Sequence, residues 1–134
     1  MSRENNVQRL SHIGICVSDL ERSVHFYRDV LGFEELSRLQ LSGPEPARLL
    51  DLEGGSLQAV YLQRDGARIE LIYYPDVGCE QDDMPRPMNR VGLTHISLRV
   101  TDLDAVLIAI EQAGGTALAH TRIDNPTWNS KAIF

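Results

Sequence analysis

Residues 10–21 read LSHIGICVSDLE, and residues 93–104 read LTHISLRVTDLD. At an offset of 83 positions, six of the twelve residues are identical, and His12 aligns with His95. Four further positions hold conservative pairs: Ser/Thr twice, Ile/Leu and Glu/Asp. Each stretch is typical of a strand that leads into a helix, because alternating apolar residues give way to apolar residues at helical spacing. The sequence therefore predicts an internal duplication.

Both predicted helices share their start and stop signals. Each begins with a hydroxyl residue followed three positions later by an acid, a pairing that can satisfy two orphan amides. Each ends at a glycine, which suits the left-handed residue that closes a helix. Tyr27 lies on the apolar stripe of the first helix and is predicted to be a core residue. The predicted caps and stops are Ser18 with Glu21 and Gly32, and Thr101 with Asp104 and Gly115.

The rest of the first half reads as strands separated by Pro/Gly turns. Its predicted order is β-α-β-β-β, and a linker over residues 77–90 separates it from the second half. The predicted strands are Phe33–Leu41, Leu57–Gln63 and Arg68–Tyr74, with a turn at Ser42–Pro46 and a helical turn within Ala47–Leu52. In the second half the predicted segments are the first strand and helix, Thr116–Ile123, a turn at Asn125–Pro126, and a last stretch Trp128–Phe134.

Composition narrows the class of protein. A chain of 134 residues with 43% hydrophobic and 24% charged residues is typical of one globular domain. The net charge of −6 disfavours nucleic acid as a partner. No apolar run approaches a membrane span, and the polar start MSRENNVQR does not resemble a signal peptide. With only Cys16 and Cys79 present, a reducing cytoplasm is the expected compartment.

Strand alternation predicts that two histidines and a carboxylate lie on the same face of the sheet. The β-branched face of the first strand should pack under the helix, which leaves His12 and its counterpart His95 on the opposite, concave face. Glu70 interrupts the apolar run IELIYY. A lone histidine in a strand is usually hydrogen-bonded or half-exposed, but two at equivalent positions of a duplicated unit converge on one axis. We therefore predict a divalent metal site formed by His12, Glu70 and His95.

Three further residues are predicted to line the same cleft. Arg99 on the cleft face is a natural anchor for a substrate carboxylate, although a plain surface arginine is an equal alternative. Cys16 and Ser97 share the face of the histidines and are predicted substrate contacts. Cys16 has no evident basic partner beside it, so a nucleophilic role is not favoured. His25 and His120 fit no repeat position and are predicted to be surface residues.

The chain resembles the vicinal oxygen chelate superfamily, which includes glyoxalases, methylmalonyl-CoA epimerases, extradiol dioxygenases and bleomycin- and fosfomycin-resistance proteins. The segments that carry the resemblance are HIGICVSDLERSVHFYRDVLGF (12–33), RIELIYY (68–74), THISLRVTDLDAV (94–106) and KAIF (131–134). The resemblance implies an α+β fold in which paired βαβββ modules form a U-shaped mixed sheet around a cleft. Module one would span about 8–76 and module two 91–134, within a single domain.

The resemblance also implies a function. In such proteins the ligands of a divalent ion (Ni, Zn, Co, Mn or Fe) come from the first and last strands of each module, which matches His12, Glu70 and His95. A substrate with neighbouring oxygens chelates the ion, and a carboxylate moves the proton alpha to its carbonyl. Glu70 is the predicted catalytic carboxylate. A lyase or isomerase acting on a small oxygenated compound, and a homodimer, are expected.

Alternatives remain within the superfamily. A metal-free binding protein of the bleomycin-resistance type is the chief rival, an acyl-CoA epimerase is a second, and a ring-cleaving dioxygenase is a third. Cys16 stands where bacterial lactoylglutathione lyases commonly carry arginine, which argues against a glutathione substrate. The offset of 83 carries Glu70 to position 153, so the natural protein is expected to continue by roughly 20 residues to a Glu-bearing strand that supplies a fourth ligand and base.

Overall fold

The computed structural model describes residues 6–82, 85–127 and 129–134. The chain divides between Glu80 and Gln81 into two compact units, and this division lies inside the predicted linker. Predictions that fall on Asp83, Met84 and Trp128 lie outside the described residues. Among the residues that are described, no helix is long and apolar enough to cross a membrane.

The first unit has the predicted β-α-β-β-β order. Helix α1 continues directly into a π turn, and a short helix α2 separates the second and third strands. The predicted turn at Ser42–Pro46 is wrong beyond Gly43, because Pro44 occupies the first turn of α2, where its fixed φ favours a helix. The elements are β1 (Ile13–Cys16), α1 (Leu20–His25), the π turn (Phe26–Val30), β2 (Glu34–Leu41), α2 (Pro44–Leu50), β3 (Leu57–Arg64) and β4 (Ala67–Tyr73).

The four strands form one mixed sheet in the order β1-β4-β3-β2. Strand β1 is parallel to β4, whereas β4 with β3 and β3 with β2 are antiparallel. The hairpin between β3 and β4 turns through Asp65 and Gly66, both with positive φ, as a two-residue hairpin loop requires. The predicted α+β class is confirmed by this sheet and its helices.

One face of the sheet packs under α1 to form the core. Leu62 pairs with Ile69 and Val60 with Leu71, so these four side chains share a face. Val24 of α1 lies against them and is fully buried. Ile15 and Val17 pack at the edge of this cluster, as the alternation predicts, and Tyr27 packs there as well. The opposite face carries the polar side chains of Tyr61 and Glu70 beside the apolar pair of Ala59 and Ile72.

The predicted caps of α1 shift by one residue. The N-cap is Asp19, whose carboxylate accepts from the backbone amide of Arg22, so the box of Ser18 with Glu21 does not form. A carboxylate at this position also favours the positive end of the helix dipole. Gly32 closes the helix with a φ of 73°, as predicted. The Arg64 guanidinium donates to the carbonyl oxygens of Leu31 and Gly32, which would otherwise lack partners.

The second unit contains one longer helix and a small hairpin. Helix α3 begins with Asp102 as its N-cap, which again replaces the predicted pair of Thr101 with Asp104. The residue with positive φ at its end is Gly114, not Gly115. The elements are α3 (Leu103–Gln112), a 3₁₀ turn (Ala119–Thr121), β5 (Ile123–Asn125) and β6 (Ser130–Ala132), with β5 and β6 antiparallel.

The predicted first strand of the second half is absent from the described residues. Residues 93–100 have no strand pairing, although their sequence matches β1. In the first unit, β1 pairs with β4 through the register Gly14 to Glu70. The described residues of the second unit supply no strand beside 93–100, and a strand is defined by the ladder that it forms with a partner.

In the predicted segment Thr116–Ile123, only Ile123 belongs to a strand, β5. Residues Ala119–Thr121 instead form a 3₁₀ turn, in which the Thr121 amide and hydroxyl both donate to the carbonyl oxygen of Leu118. A hydroxyl that bonds its own backbone three residues back favours a turn over a strand. The turn predicted at Asn125–Pro126 begins one residue later, since Asn125 is the last residue of β5 and the chain turns at Pro126 before it reaches β6.

Candidate functional site

His12 and Glu70 lie side by side on the face of the sheet that α1 does not cover. Nε2 of His12 is 3.1 Å from Oε2 of Glu70. Glu70 pairs with Gly14 across β1 and β4, and His12 lies two positions before Gly14, on the same face. The exposed fractions of the two side chains are 32% for His12 and 13% for Glu70. The structure therefore brings together the two ligands that the first half was predicted to supply.

Tyr61 completes this group from the neighbouring strand. It is the cross-strand partner of Glu70 in the β3–β4 ladder, and its hydroxyl donates to the Glu70 carboxylate. Its ring lies edge-on to the His12 imidazole, with centroids 5.2 Å apart and planes at 83°. Burial raises the pKa of the Tyr61 phenol, and the hydrogen bond to Glu70 and its charge raise it further. The phenol therefore stays protonated and remains a donor at neutral pH.

A cavity of about 430 Å³ opens beside this group. The side chains that line it come from β2, β3, β4 and the residues before β1. They include a serine, a histidine and an arginine, so a polar ligand would find donors on several sides. The lining residues are Ser11, His12, Leu36, Ser37, Tyr61 and Arg68.

Cys16 lies on the same face but is not activated. Burial raises the pKa of its thiol, and the nearby Cys79 raises it further. Neutral thiols are poor nucleophiles, so the structure offers no support for covalent catalysis here. Both cysteines are free and exposed. Burial also raises the pKa of the Tyr74 phenol, with smaller contributions from Cys16 and Glu70, which lie nearby.

The second unit has a larger cavity of its own, of about 1270 Å³. His95, Ser97 and Arg99, the three residues predicted for the cleft face of the second half, all line it. Lys131 and Phe134 contribute from the hairpin side, and the Phe134 ring lies edge-on to His95 with centroids 5.4 Å apart. The lining therefore combines Arg99, Lys131 and His95 with three aspartates and several apolar side chains.

The donor set in the first unit fits a divalent cation. At metal–ligand distances of about 2.1 Å, two ligands at right angles lie about 3.0 Å apart, close to the spacing of Nε2 in His12 and Oε2 in Glu70. Within the described ranges, however, no three His, Cys, Asp or Glu side chains are grouped to hold one ion. The assignment of His95 as the third ligand therefore stays a prediction.

Sequence reasoning missed Tyr61 and Ser11. The alternation of β3 sets Tyr61 apart from the core residues Val60 and Leu62, but only the register with β4 shows that it faces Glu70. Ser11 contacts its own neighbour, with Oγ 2.9 Å from Nδ1 of His12. The sequence signal for this contact was the Ser/Thr pair that precedes the two histidines in the repeat.

Comparison with models of known protein families identifies one family that matches nearly the whole chain. The family model described as "Glyoxalase/Bleomycin resistance protein/Dioxygenase superfamily" matches residues 9–133. The chain therefore belongs to the glyoxalase/bleomycin resistance protein/dioxygenase superfamily, as its resemblance predicted. A search of curated proteins found no match.

Solved structures show the same fold at low sequence identity. A glyoxalase family protein from Bacillus cereus superposes with a TM-score of 0.74 at 21% identity, covering 88% of this chain and 79% of that one. The trypanothione-dependent glyoxalase I of Leishmania major gives 0.55 at 23% identity, with coverages of 81% and 68%. A glyoxylase/bleomycin resistance protein/dioxygenase domain from Frankia gives 0.55 at 25% identity, with coverages of 90% and 78%.

Proposed function

We propose that the protein is a metal-dependent lyase or isomerase that moves a proton alpha to the carbonyl of a small oxygenated substrate. The observation that carries the proposal is the pair of His12 and Glu70, whose donor atoms lie 3.1 Å apart beside a cavity. The pair lies on a partly buried face, beside a tyrosine that hydrogen-bonds the carboxylate. Membership of a superfamily that includes glyoxalases supports the same class of chemistry.

His12, Glu70 and His95 are the residues that would hold the ion. The first two are adjacent in the structure, and the third is taken from the repeat in the sequence. When bound, a divalent ion supplies Lewis-acid polarisation of a carbonyl oxygen. Nickel, zinc, cobalt, manganese and iron all suit nitrogen and oxygen ligands of this kind.

Glu70 is the residue proposed to carry the proton. Its carboxylate is mostly shielded from water, which strengthens its interactions with a bound substrate. The Tyr61 hydroxyl fixes its orientation by donating to it. A general base must first lie within hydrogen-bond distance of the substrate, because the proton is transferred only over that distance. Its pKa matters after this condition is met.

Arg99 and Ser97 are proposed to contact the substrate. Both line the cavity of the second unit, and Arg99 enters no ion pair among the described residues. An unpaired guanidinium is suited to a planar carboxylate, which it can bind through two parallel hydrogen bonds. Lys131 lines the same cavity and adds a second positive charge. Three aspartates line it too, but Asp102 caps α3, and Asp104 and Asp124 pair with Arg122. Arg99 and Lys131 are therefore the groups proposed to bind a carboxylate of the substrate.

Metal binding is the first test. Isothermal titration of the metal-free protein with Ni²⁺, Zn²⁺, Co²⁺ and Mn²⁺ should give one tight site for at least one ion. His12→Ala, Glu70→Gln and His95→Ala should each abolish it, because too few ligands remain. His120→Ala removes an exposed histidine and should bind as the unchanged protein does. Retention of full metal content by His12→Ala and His95→Ala would show that the site lies elsewhere.

Proton transfer is the second test, and it separates an enzyme from a metal-free binder. The protein with its metal should exchange an alpha proton of methylmalonyl-CoA, or isomerise the hemithioacetal of methylglyoxal and glutathione, in deuterated water. Glu70→Gln should lose this exchange. A protein that takes up no metal and exchanges no proton, yet binds a small molecule, would instead support the bleomycin-resistance alternative.

A further inference from the structure

The same contact recurs at both histidines of the duplicated sequence. Oγ of Ser11 lies 2.9 Å from Nδ1 of His12, and Oγ1 of Thr94 lies 2.9 Å from Nδ1 of His95. Successive side chains of a regular strand point to opposite faces and do not meet. In both places the pair of residues lies outside any strand, which lets the hydroxyl turn back to the ring. Two compact units thus show one local arrangement.

An aromatic ring completes the arrangement at each histidine. Tyr61 lies edge-on to His12 at 5.2 Å and 83°, and Phe134 lies edge-on to His95 at 5.4 Å and 90°. The two rings are not equivalent in the repeat, since Tyr61 follows His12 by 49 residues and Phe134 follows His95 by 39. The edge-to-face geometry therefore recurs although the sequence that provides the ring does not. Together the hydroxyl and the ring restrict both the position and the rotation of each imidazole.

Holding Nδ1 leaves Nε2 as the nitrogen that each histidine presents. In the first unit, Nε2 faces Glu70. In the second, no hydrogen bond or ion pair engages Nε2 of His95 among the residues that the structure describes. A hydroxyl can donate or accept. It can therefore accept from Nδ1–H when Nε2 binds a cation, and donate to Nδ1 when Nε2 carries the proton.

We infer that Ser11 and Thr94 are positioning residues that orient His12 and His95 toward a divalent cation through Nε2. This inference rests on the proposed function for its ligand. Groups that hydrogen-bond the distal nitrogen of a ligating histidine fix its tautomer, and their loss typically weakens metal affinity by about 10- to 100-fold. Serine and threonine serve equally, because only the hydroxyl is required.

The repeat supplies matched variants for the test. Ser11→Ala and Thr94→Val remove the two hydroxyls. Ser11→Thr and Thr94→Ser keep a hydroxyl at each position and should bind the metal as the unchanged protein does. Ser18→Ala and Thr101→Val are the controls, because these residues are also related by the offset of 83 and neither caps its helix. Titration with Co²⁺ should show about a 10-fold or greater loss of affinity for the first two variants alone, with altered visible absorption of the bound Co²⁺.

A second measurement on the metal-free protein keeps the two hypotheses apart. Long-range ¹⁵N spectra of the imidazoles at fixed pH should show Ser11→Ala changing the His12 nitrogens alone, and Thr94→Val those of His95 alone. If the unchanged protein binds no Co²⁺, the proposed function fails and these spectra alone decide the hydroxyl contacts. If it binds Co²⁺ and both hydroxyl variants bind as tightly, the inference is wrong while the proposed function stands. Spectra that no variant alters would also overturn it.

Discussion

Tyr61 contacts both predicted ligands of the first unit, and it lies on a strand whose other face belongs to the core. It contacts His12 through its ring and Glu70 through its hydroxyl, while its strand neighbours Val60 and Leu62 are buried in the core on the other face. A shift of β3 along β4 would therefore change the contacts of both His12 and Glu70. Tyr61 fixes where these two side chains lie along the sheet.

Tyr61→Phe should keep the ring contact and lose the hydrogen bond. Because the acceptor is a carboxylate, we expect a loss of about 1–3 kcal/mol in the free energy of unfolding, and a weaker site for the metal. Urea unfolding followed by circular dichroism measures the first effect. Tyr74→Phe is the control, since no hydrogen bond to Glu70 contributes to the raised pKa of its phenol. Equal stability losses in both variants would contradict a specific role for the Tyr61 hydroxyl.

The first residues of α1 allow a direct comparison of two neighbouring candidates for the N-cap, Ser18 and Asp19. Asp19→Ala should lower the free energy of unfolding by about 0.5–2 kcal/mol, because the carboxylate that accepts from the Arg22 amide is lost. Ser18→Ala should leave stability within about 0.5 kcal/mol. Urea midpoints of the two variants decide between them. A larger loss for Ser18→Ala would restore the capping box as the true start.

The charged pairs around the π turn predict a dependence on pH. The Arg28 guanidinium, with help from His25, lowers the pKa of the Asp29 carboxyl to about 2. A carboxyl whose pKa is lowered by folding stabilises the native state above its unfolded pKa of 3.8, and this stabilisation is lost as the pH falls toward 2. The side chain is exposed, so the effect is modest and screened by salt.

Asp29→Asn should therefore flatten the pH dependence. Between pH 5 and pH 2.5 the urea midpoint of the unchanged protein should fall more than that of the variant, and 1 M NaCl should reduce the difference. Midpoints that fall in parallel at low salt would mean that Asp29 contributes nothing to acid stability.

Local patterns explain which elements could be predicted. Strands β2, β3 and β4 follow from alternation and turn residues, and both His12 and Glu70 follow from the same parity. Residues 93–100 carry an equally good pattern, yet a strand requires a partner that the pattern does not contain. Adjacent cap-competent residues such as Ser18 and Asp19 cannot be ranked from sequence, and Tyr61 needed the register between two strands.

Stability is distributed unevenly between the two units. All the buried apolar residues among those described belong to the first unit, and α3 buries none fully. Hydrogen exchange should therefore protect β3 and β4 most, because their amides are paired and covered. Residues 93–100 should exchange within seconds. Mass spectrometry of peptic fragments measures both, and slow exchange in 93–100 would show that this segment is paired in solution.

The homodimer expected for this superfamily remains a prediction. Several apolar side chains are exposed in the second unit, including Val91 at 98% and Leu93 at 72%. Exposed apolar groups on a segment outside any strand ladder favour association. Light scattering at micromolar concentration should give twice the 15.0 kDa mass of the chain. A monomer at that concentration would contradict the expectation.

The π turn at Phe26–Val30 marks a difference of one residue in length between the two copies of the repeat. In the first copy the bond that ends the helix joins the Phe33 amide to Tyr27, and in the second it joins the Gly115 amide to Ile110, one residue closer. The acceptors keep the offset of 83, so one residue was gained or lost between them. In a strand such a change would reverse every later side chain, whereas a wide helical turn absorbs it. An alignment of the two copies therefore needs its gap inside the helix, and an ungapped one mispairs everything that follows.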